Sequence, residues 1–427
     1  MLAAGSMTGP TGFSATHPRR LRWHRAVTRL RLWSSTADGQ RGRSSWVGCF
    51  WSPVVKQKGK AKEKEKEKEK ENGKFLEVEP SRSGGEDMWS AESDAAETGR
   101  FPEHLIIMVN GLVGSAEDWR FAAEQFVRRI PDKVIVHRSE CNSAMLTFDG
   151  VDLMGERLAD EVRSVVVQRR GVQKISFVAH SLGGLVARYA IGRLYEAPSQ
   201  IESSTNKSGG MNGLIAGLVP MNFITFASPH LGSRGNKQLP FLCGLPFLER
   251  RAVETAHIIV GRTGKHLFLT DSDDGKPPLL LRMVDDCDDI KFRSALRSFK
   301  RRVAYANANF DHMVGWRTSS IRRQHELPKH RLLVRDDKYP HIVHVDKGDI
   351  DLNKIEVSSS TAGRSQVNDI EEEMIRGLTQ VSWERVDVSF QKSRQRYVAH
   401  NTIQVKSYWL NSDGEDVISH MIDNFLI

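Results

Sequence analysis

Residues 174–184 read KISFVAHSLGG, an apolar strand that runs straight into a serine set between two small residues. A parallel strand, a sharp turn and a glycine-led helix force the turn residue into a strained backbone that lifts its side chain above the sheet. Ala179 and Gly183 stand two before and two after Ser181, where a larger side chain would collide with the turning chain. The usual form of such an elbow is G-x-S-x-G, so alanine at the first small position is a modest departure. Ile175, Phe177 and Val178 before the serine, and LVARYAIGRLY after it, supply the strand and the helix that the turn requires. Ser181 is therefore a candidate nucleophile; the bland alternative is an ordinary strand-to-helix turn.

The rest of the chain repeats the same unit. HLIIMVNG (104–111) and KVIVHRS (133–139) are short apolar runs of the kind that form strands buried on both faces. SAEDWRFAAEQFVRRI begins with a serine cap and carries apolar residues at helical spacing. GVDLMGERLADEVRSVVVQRR predicts a long amphipathic helix with Leu153, Leu158, Val162 and Val165 or Val166 on one side. NFITFASP (222–229), RRVAYANANFD (301–311) and WERVDVSF (383–390) predict further strands, YPHIVHV an apparent hairpin excursion, and EDVISHMIDNFLI a closing helix. Strands and helices alternating at this length predict an α/β fold, a mostly parallel central sheet with helices on both faces.

Composition divides the chain near residue 100. The first hundred residues hold 19 basic and 13 acidic side chains, and residues 101–427 hold 43 and 40. The formal charge of +9 thus arises mainly upstream, and the remainder shows no nucleic-acid footprint. Residues 1–50 carry eight arginines and one acid, Asp38, the composition of an organelle transit peptide over about 1–55; an upstream extension without that role is the alternative. Localisation stays open between the cytoplasm and a chloroplast or mitochondrion. Residues 58–74 alternate Lys and Glu and read as a solvated tether. A disordered region is expected over 1–100, with ordered structure from about Phe101 and one folded domain over 101–427. Cys49, Cys141, Cys243 and Cys287 are scattered without metal-ligand spacing, as free thiols are, a disulfide frame being the alternative. The apolar stretch 213–227 contains Pro220 and Asn222 and is too short to span a bilayer.

A serine hydroxyl attacks only if a base takes its proton, and the base needs a carboxylate to hold its tautomer. With a serine elbow, acid and histidine follow in that order, each after a strand. Asp311 stands where VAYANANF ends, the place for the orienting acid; a plain turn aspartate is the alternative. Asp285, Asp286, Asp288 and Asp289 cluster ahead of a helix and read as its N-terminal charges. His400, in RYVAHNTIQVK, follows the last strand and is the candidate base, with His341 and His344 as rivals. His180 stands on the elbow itself and suits packing or substrate contact, and His230 a pocket-wall or structural role. The tetrahedral intermediate needs donors for its oxyanion. The backbone N–H groups of Leu182 and of Leu112, in VNGLVGS, are the candidates.

At IIMVNGLVGSAEDW, FDGVDLMGERLA, SFVAHSLGGLVARYAIGRLY, FITFASPHLGSRG, HLFLTD, FDHMVGWRTSSIR and VAHNTIQVK the chain resembles a lipase-like family of serine esterases, its plant members in particular. The resemblance covers most of residues 101–427 and implies an α/β-hydrolase fold with a Ser-Asp-His triad acting on acyl esters of lipids. Carried over by motif, that triad falls on Ser181, Asp311 and His400. Many relatives have His-Gly where this chain has Asn110-Gly111, which leaves the backbone donors in place but not the histidine side chain.

About seventy residues separate the strands at 222–229 and 301–311, more than a crossover needs, and a lid insertion over 230–290 is expected. Its run QLPFLCGLPFLERR, with Phe241, Leu242, Leu245 and Phe247 as candidate substrate contacts, suits either an acyl groove cover or core packing. The expected activity is hydrolysis of a carboxylic ester of a lipid through an acyl-serine, with no cofactor, no metal and transient contact with a membrane surface. Acyl transfer, thioester cleavage and a catalytically silent binding scaffold are the competing readings.

Overall fold

The computed structural model describes residues 75–81, 85–91, 102–198, 213–233, 261–272, 275–348 and 366–427. In chain order the strands are β1 (Phe75–Pro80), β2 (Glu86–Ala91), β3 (His104–Val109), β4 (Val134–Arg138) and β5 (Lys174–His180). A short pair follows, β6 (Tyr195–Glu196) and β7 (Leu214–Ile215), then β8 (Val219–Phe226), β9 (Arg301–Asn307), β10 (Ile342–Asp346) and β11 (Glu384–Val388). Nine strands make one sheet in the order β1-β2-β4-β3-β5-β8-β9-β11-β10. From β4 through β11 every neighbouring pair is parallel. The outer pairings β1–β2, β2–β4 and β10–β11 are antiparallel.

Both faces of this sheet are covered. Leu105, Ile107 and Val109 of β3 join one core cluster, Ile106 and Met108 the other. Successive strand residues point to opposite faces, so an unbroken apolar run is what a doubly covered strand requires. Helices Val151–Gln168, Leu182–Leu194 and Phe292–Ser298 close the first cluster, and Arg120–Arg129 and Glu415–Asp423 the second. Leu158, Val162 and Val165 are buried as expected, each contributing about 1.5–3 kcal/mol. Leu153 is 42% exposed instead. Five residues carry it roughly 140° around the helix from Leu158, and Met154 takes the core position. The layout is the expected α/β-hydrolase fold.

The sheet begins upstream of Phe101, the expected first ordered residue. β1 and β2 form a hairpin whose second strand pairs with β4. Charge fastens it. Asp87 of β2 accepts from His137 Nδ1 of β4 at 2.6 Å and from Arg169 Nε at 2.7 Å. On the far side of the imidazole, Nε2 lies 3.4 Å from Glu161 Oε1, a charge contact between groups shut off from solvent. Ser139 Oγ donates to the other oxygen of Glu161. Burial disfavours the charged imidazole, but Asp87 and Glu161 outweigh it and raise the His137 pKa to about 9. Both carboxyls are also desolvated, and His137 still holds each below the usual range.

The described part of the expected lid is not a flap. The helix Gly261–Leu267 is tied to the body by Thr263 Oγ1, which donates to the Thr147 carbonyl at 2.8 Å. Leu269, Leu279, Leu280 and Met283 belong to the first core cluster. Phe241, Leu242, Leu245 and Phe247 lie outside the described residues. Cys141 and Cys287 are free thiols, and Cys49 and Cys243 lie outside the described residues. Among the described residues no helix is long and apolar enough to cross a membrane.

Candidate active site

β5 ends at His180 and the helix begins at Leu182, so Ser181 alone makes the turn, with φ +54° and ψ −128°. A non-glycine residue there costs on the order of 1–2 kcal/mol. Neighbours hold it: the Ser181 N–H donates to the Phe226 carbonyl at 2.8 Å, and the Gly184 N–H to the Ser181 carbonyl at 3.1 Å. The small residues are demanded by space. A Cβ on Gly183 would stand 2.5 Å from the Asn110 carbonyl oxygen and 2.6 Å from that of Val109. Ala179 is fully buried.

Three side chains from the carboxyl ends of β5, β9 and β11 converge here. His400 Nε2 lies 3.0 Å from Ser181 Oγ, and its Nδ1 lies 3.0 Å from Asp311 Oδ2. A neutral imidazole carries one ring proton; with the carboxylate accepting it at Nδ1, the Nε2 lone pair faces the serine hydroxyl. Asp311 is itself fixed. Oδ1 accepts from the N–H groups of Met313 at 2.9 Å and Val314 at 2.8 Å, and Oδ2 accepts from Asn307 Nδ2 at 2.9 Å. Burial pushes this carboxyl up, but His400, the Val314 N–H and the Asn307 amide together hold it below the ordinary aspartate value.

The positions proposed as oxyanion donors flank the same serine. Leu182 opens a helix, where first-turn N–H groups have no intrahelical acceptor. The 110–112 loop passes so close that a Cβ on Gly111 would stand 2.9 Å from Ser181 Cβ. Asn110 Nδ2 donates to the carbonyls of Asn142 at 2.9 Å and Gly111 at 3.1 Å and so braces that loop.

The other candidates stand elsewhere. His341 Nδ1 is 2.9 Å from Asp416, and His344 Nδ1 is 3.0 Å from Asp387. His230 Nε2 meets Thr225 Oγ1 at 3.0 Å inside the core. Asp286 accepts from the Ser294 N–H at 3.0 Å, as expected of an acid at the start of the helix Phe292–Ser298. His180 packs, as expected, and also does more: its Nε2 donates to the His400 carbonyl at 2.7 Å, tying the histidine segment to the elbow. Burial first, then proximity to His400, holds the His180 pKa well below its ordinary value, so this ring is neutral. Sequence reasoning missed that link and Asn307. The signal for Asn307 was present, a polar residue at the end of the buried strand β9, four positions before Asp311. Among the described residues no group of three or more His, Cys, Asp or Glu side chains converges as a metal site.

The family described as "Putative serine esterase (DUF676)" matches residues 100–321, a span that holds Ser181 and Asp311 and ends before His400. Two proteins of Saccharomyces cerevisiae are similar to this chain. "Putative lipase ROG1" is 30% identical over 55% of this chain and 31% of its own length. "Putative lipase YDL109C" is 28% identical over 51% and 30%. The match therefore spans about a third of each curated relative. Among solved structures, an α/β-hydrolase superfamily protein from Enterococcus faecalis aligns with TM-score 0.36 at 11% identity, covering 79% of this chain and 99% of that one. Esterase B from Lactobacillus rhamnosis aligns with TM-score 0.39 at 8% identity, covering 86% and 94%.

Proposed function

The chain belongs to the "Putative serine esterase" family, and on that footing we propose that it hydrolyses carboxylic esters of lipids through an acyl-serine intermediate. The observation that carries this reading is the position of His400, 3.0 Å from the Ser181 hydroxyl on one side and 3.0 Å from the Asp311 carboxylate on the other. Ser181 Oγ attacks the ester carbonyl carbon while His400 Nε2 takes its proton. The Asp311 carboxylate, already held ionised, stabilises the imidazolium that forms. The carbonyl electrons move onto oxygen, where the N–H groups of Leu112 and Leu182 receive the charge. Collapse breaks the bond to the alcohol, which leaves with the proton from His400. Water then repeats the sequence on the acyl-serine and releases the acid. Lipid as the substrate class is supported by the relatives named as lipases.

The test is labelling with a fluorophosphonate, which phosphonylates an activated serine. Full-length wild type should label and should turn over a short soluble ester, and Ser181→Ala should do neither, with turnover lower by on the order of 10⁴-fold or more. Wild-type protein that is folded but neither labels nor turns over ester would make the chain a silent scaffold.

A further inference from the structure

Single exposed apolar side chains are ordinary on a protein surface, but contiguous ones beside a site mark a partner. Here they gather on the loops that carry the candidate machinery. Tyr397 and Val398, three and two residues before His400, are 64% and 45% exposed. Trp409 and Leu410, in the short helix Tyr408–Asn411, are 94% and 68% exposed. Val113, next to the proposed donor Leu112, is 51% exposed as well. Its N–H donates to Thr147 Oγ1 at 3.0 Å, which joins it to the segment bearing Met145, 71% exposed.

These groups are held in place. Asn411 Nδ2 donates to Thr402 Oγ1 at 3.0 Å, binding the Trp409 helix to the turn that holds His400. The Tyr408 ring stacks on Phe121 at 5.0 Å, and Lys406 Nζ reaches Asp118 at 3.0 Å. The Tyr397 ring stands edge-on to Phe310, the neighbour of Asp311, at 5.9 Å. Both segments are thus braced beside the turn that holds His400 and beside the neighbour of Asp311.

Its charge selects the partner. Residues 391–410 contain Lys392, Arg394, Arg396 and Lys406 and no acid. Lys392 and Arg394 are exposed, and the Arg396 guanidinium lies 4.8 Å over the Tyr397 ring. Of the acids that follow, Asp413 accepts from the Ser393 hydroxyl, Glu415 accepts from the Tyr408 hydroxyl at 3.2 Å, and Asp416 lies 2.9 Å from His341 Nδ1. Tryptophan and tyrosine amid lysine and arginine, with an aliphatic neighbour, is the composition that settles at a bilayer interface and is drawn to anionic headgroups.

We propose that the ridge formed by Tyr397, Val398, Trp409 and Leu410 seats the protein on the surface of an anionic phospholipid bilayer, with the Ser181 mouth facing the lipid. This deepens the ester-hydrolase reading, since the docked surface would hold the substrate.

The test is co-flotation of the full chain with phosphatidylcholine vesicles, with and without phosphatidylserine, beside turnover of a short soluble ester. Wild type should float with the phosphatidylserine vesicles. Trp409→Ser with Leu410→Ser should lower the bound-to-free ratio by roughly 10- to 100-fold, with melting temperature and soluble-ester turnover unchanged. Lys392→Glu with Arg394→Glu should weaken flotation only where phosphatidylserine is present. Wild type that stays in solution, or a double serine variant that floats equally well, overturns the proposal. So does a wild-type dimer that the double serine variant turns into a monomer, since a second copy would then cover the ridge. Flotation without soluble-ester turnover in any variant would sink the hydrolase reading and leave the docking surface standing.

Discussion

Two regions of the sheet each bury a histidine against carboxylate, and the two imidazoles have opposite surroundings. His400 has the Asp311 carboxylate on one nitrogen and the Ser181 hydroxyl on the other. His137 has Asp87 on one nitrogen and Glu161 beside the other. A carboxylate on one side only fixes a tautomer and leaves the second nitrogen as a base. Carboxylates on both sides fix a proton and leave a cation, which His137 remains up to about pH 9. Placement follows the same division. His137 lies within β4, walled in by neighbouring strands, whereas His400 follows β11 at the carboxyl ends of the parallel strands, where ligands meet α/β sheets.

Removing the carboxylate from each imidazole is the sharpest way to separate them. Asp311→Asn should leave folding intact and lower kcat by roughly 10²- to 10⁴-fold, because the amide neither sets the tautomer nor stabilises the imidazolium. Steady-state turnover of a soluble ester reads this. His137→Leu should leave kcat of the folded protein near wild type while costing about 3–5 kcal/mol of stability, because Glu161 stays buried without its cation and Asp87 keeps only Arg169. Thermal melting checks it, and a kcat loss as deep as that of Asp311→Asn would break the distinction. The smallest effect is on pH. A pKa raised by folding contributes stability that is complete below the unfolded value of 6.5 and is lost as pH rises through about 9. Wild-type stability should therefore decline across pH 6.5–9, by no more than about 3 kcal/mol. The same titration of His137→Leu should be flatter.

The parallel strands were readable because a strand buried on both faces is an apolar run, and β3 and β5 bury every residue or nearly so. The elbow was readable because space forbids anything but small residues around Ser181. Asp311 and His400 followed from chain order and strand ends, needing no knowledge of contacts. The hairpin of β1 and β2 was not. FLEVEP alternates apolar and acidic residues over too short a run to stand out, and EDMWSA docks through Met88 and through Asp87 with Arg169 and His137, a pairing of charges remote in sequence that leaves no periodicity. A signal did exist, in the titratable His137 and Arg138 set inside an otherwise apolar strand. Asn307 and the His180 link escaped because each acts through one or two hydrogen bonds, which leave no pattern in the sequence.

The hairpin also settles where this polypeptide can safely be shortened. Its outer strand β1 presents Glu77, Glu79 and Pro80 along the rim, residues that discourage a foreign strand from adding on. Trimming to the family-matched start at residue 100 would strip that guard and bare the backbone of Val136, His137 and Arg138. Such a fragment would offer a sticky template for self-association, so recombinant work on this protein is best begun upstream of Phe75.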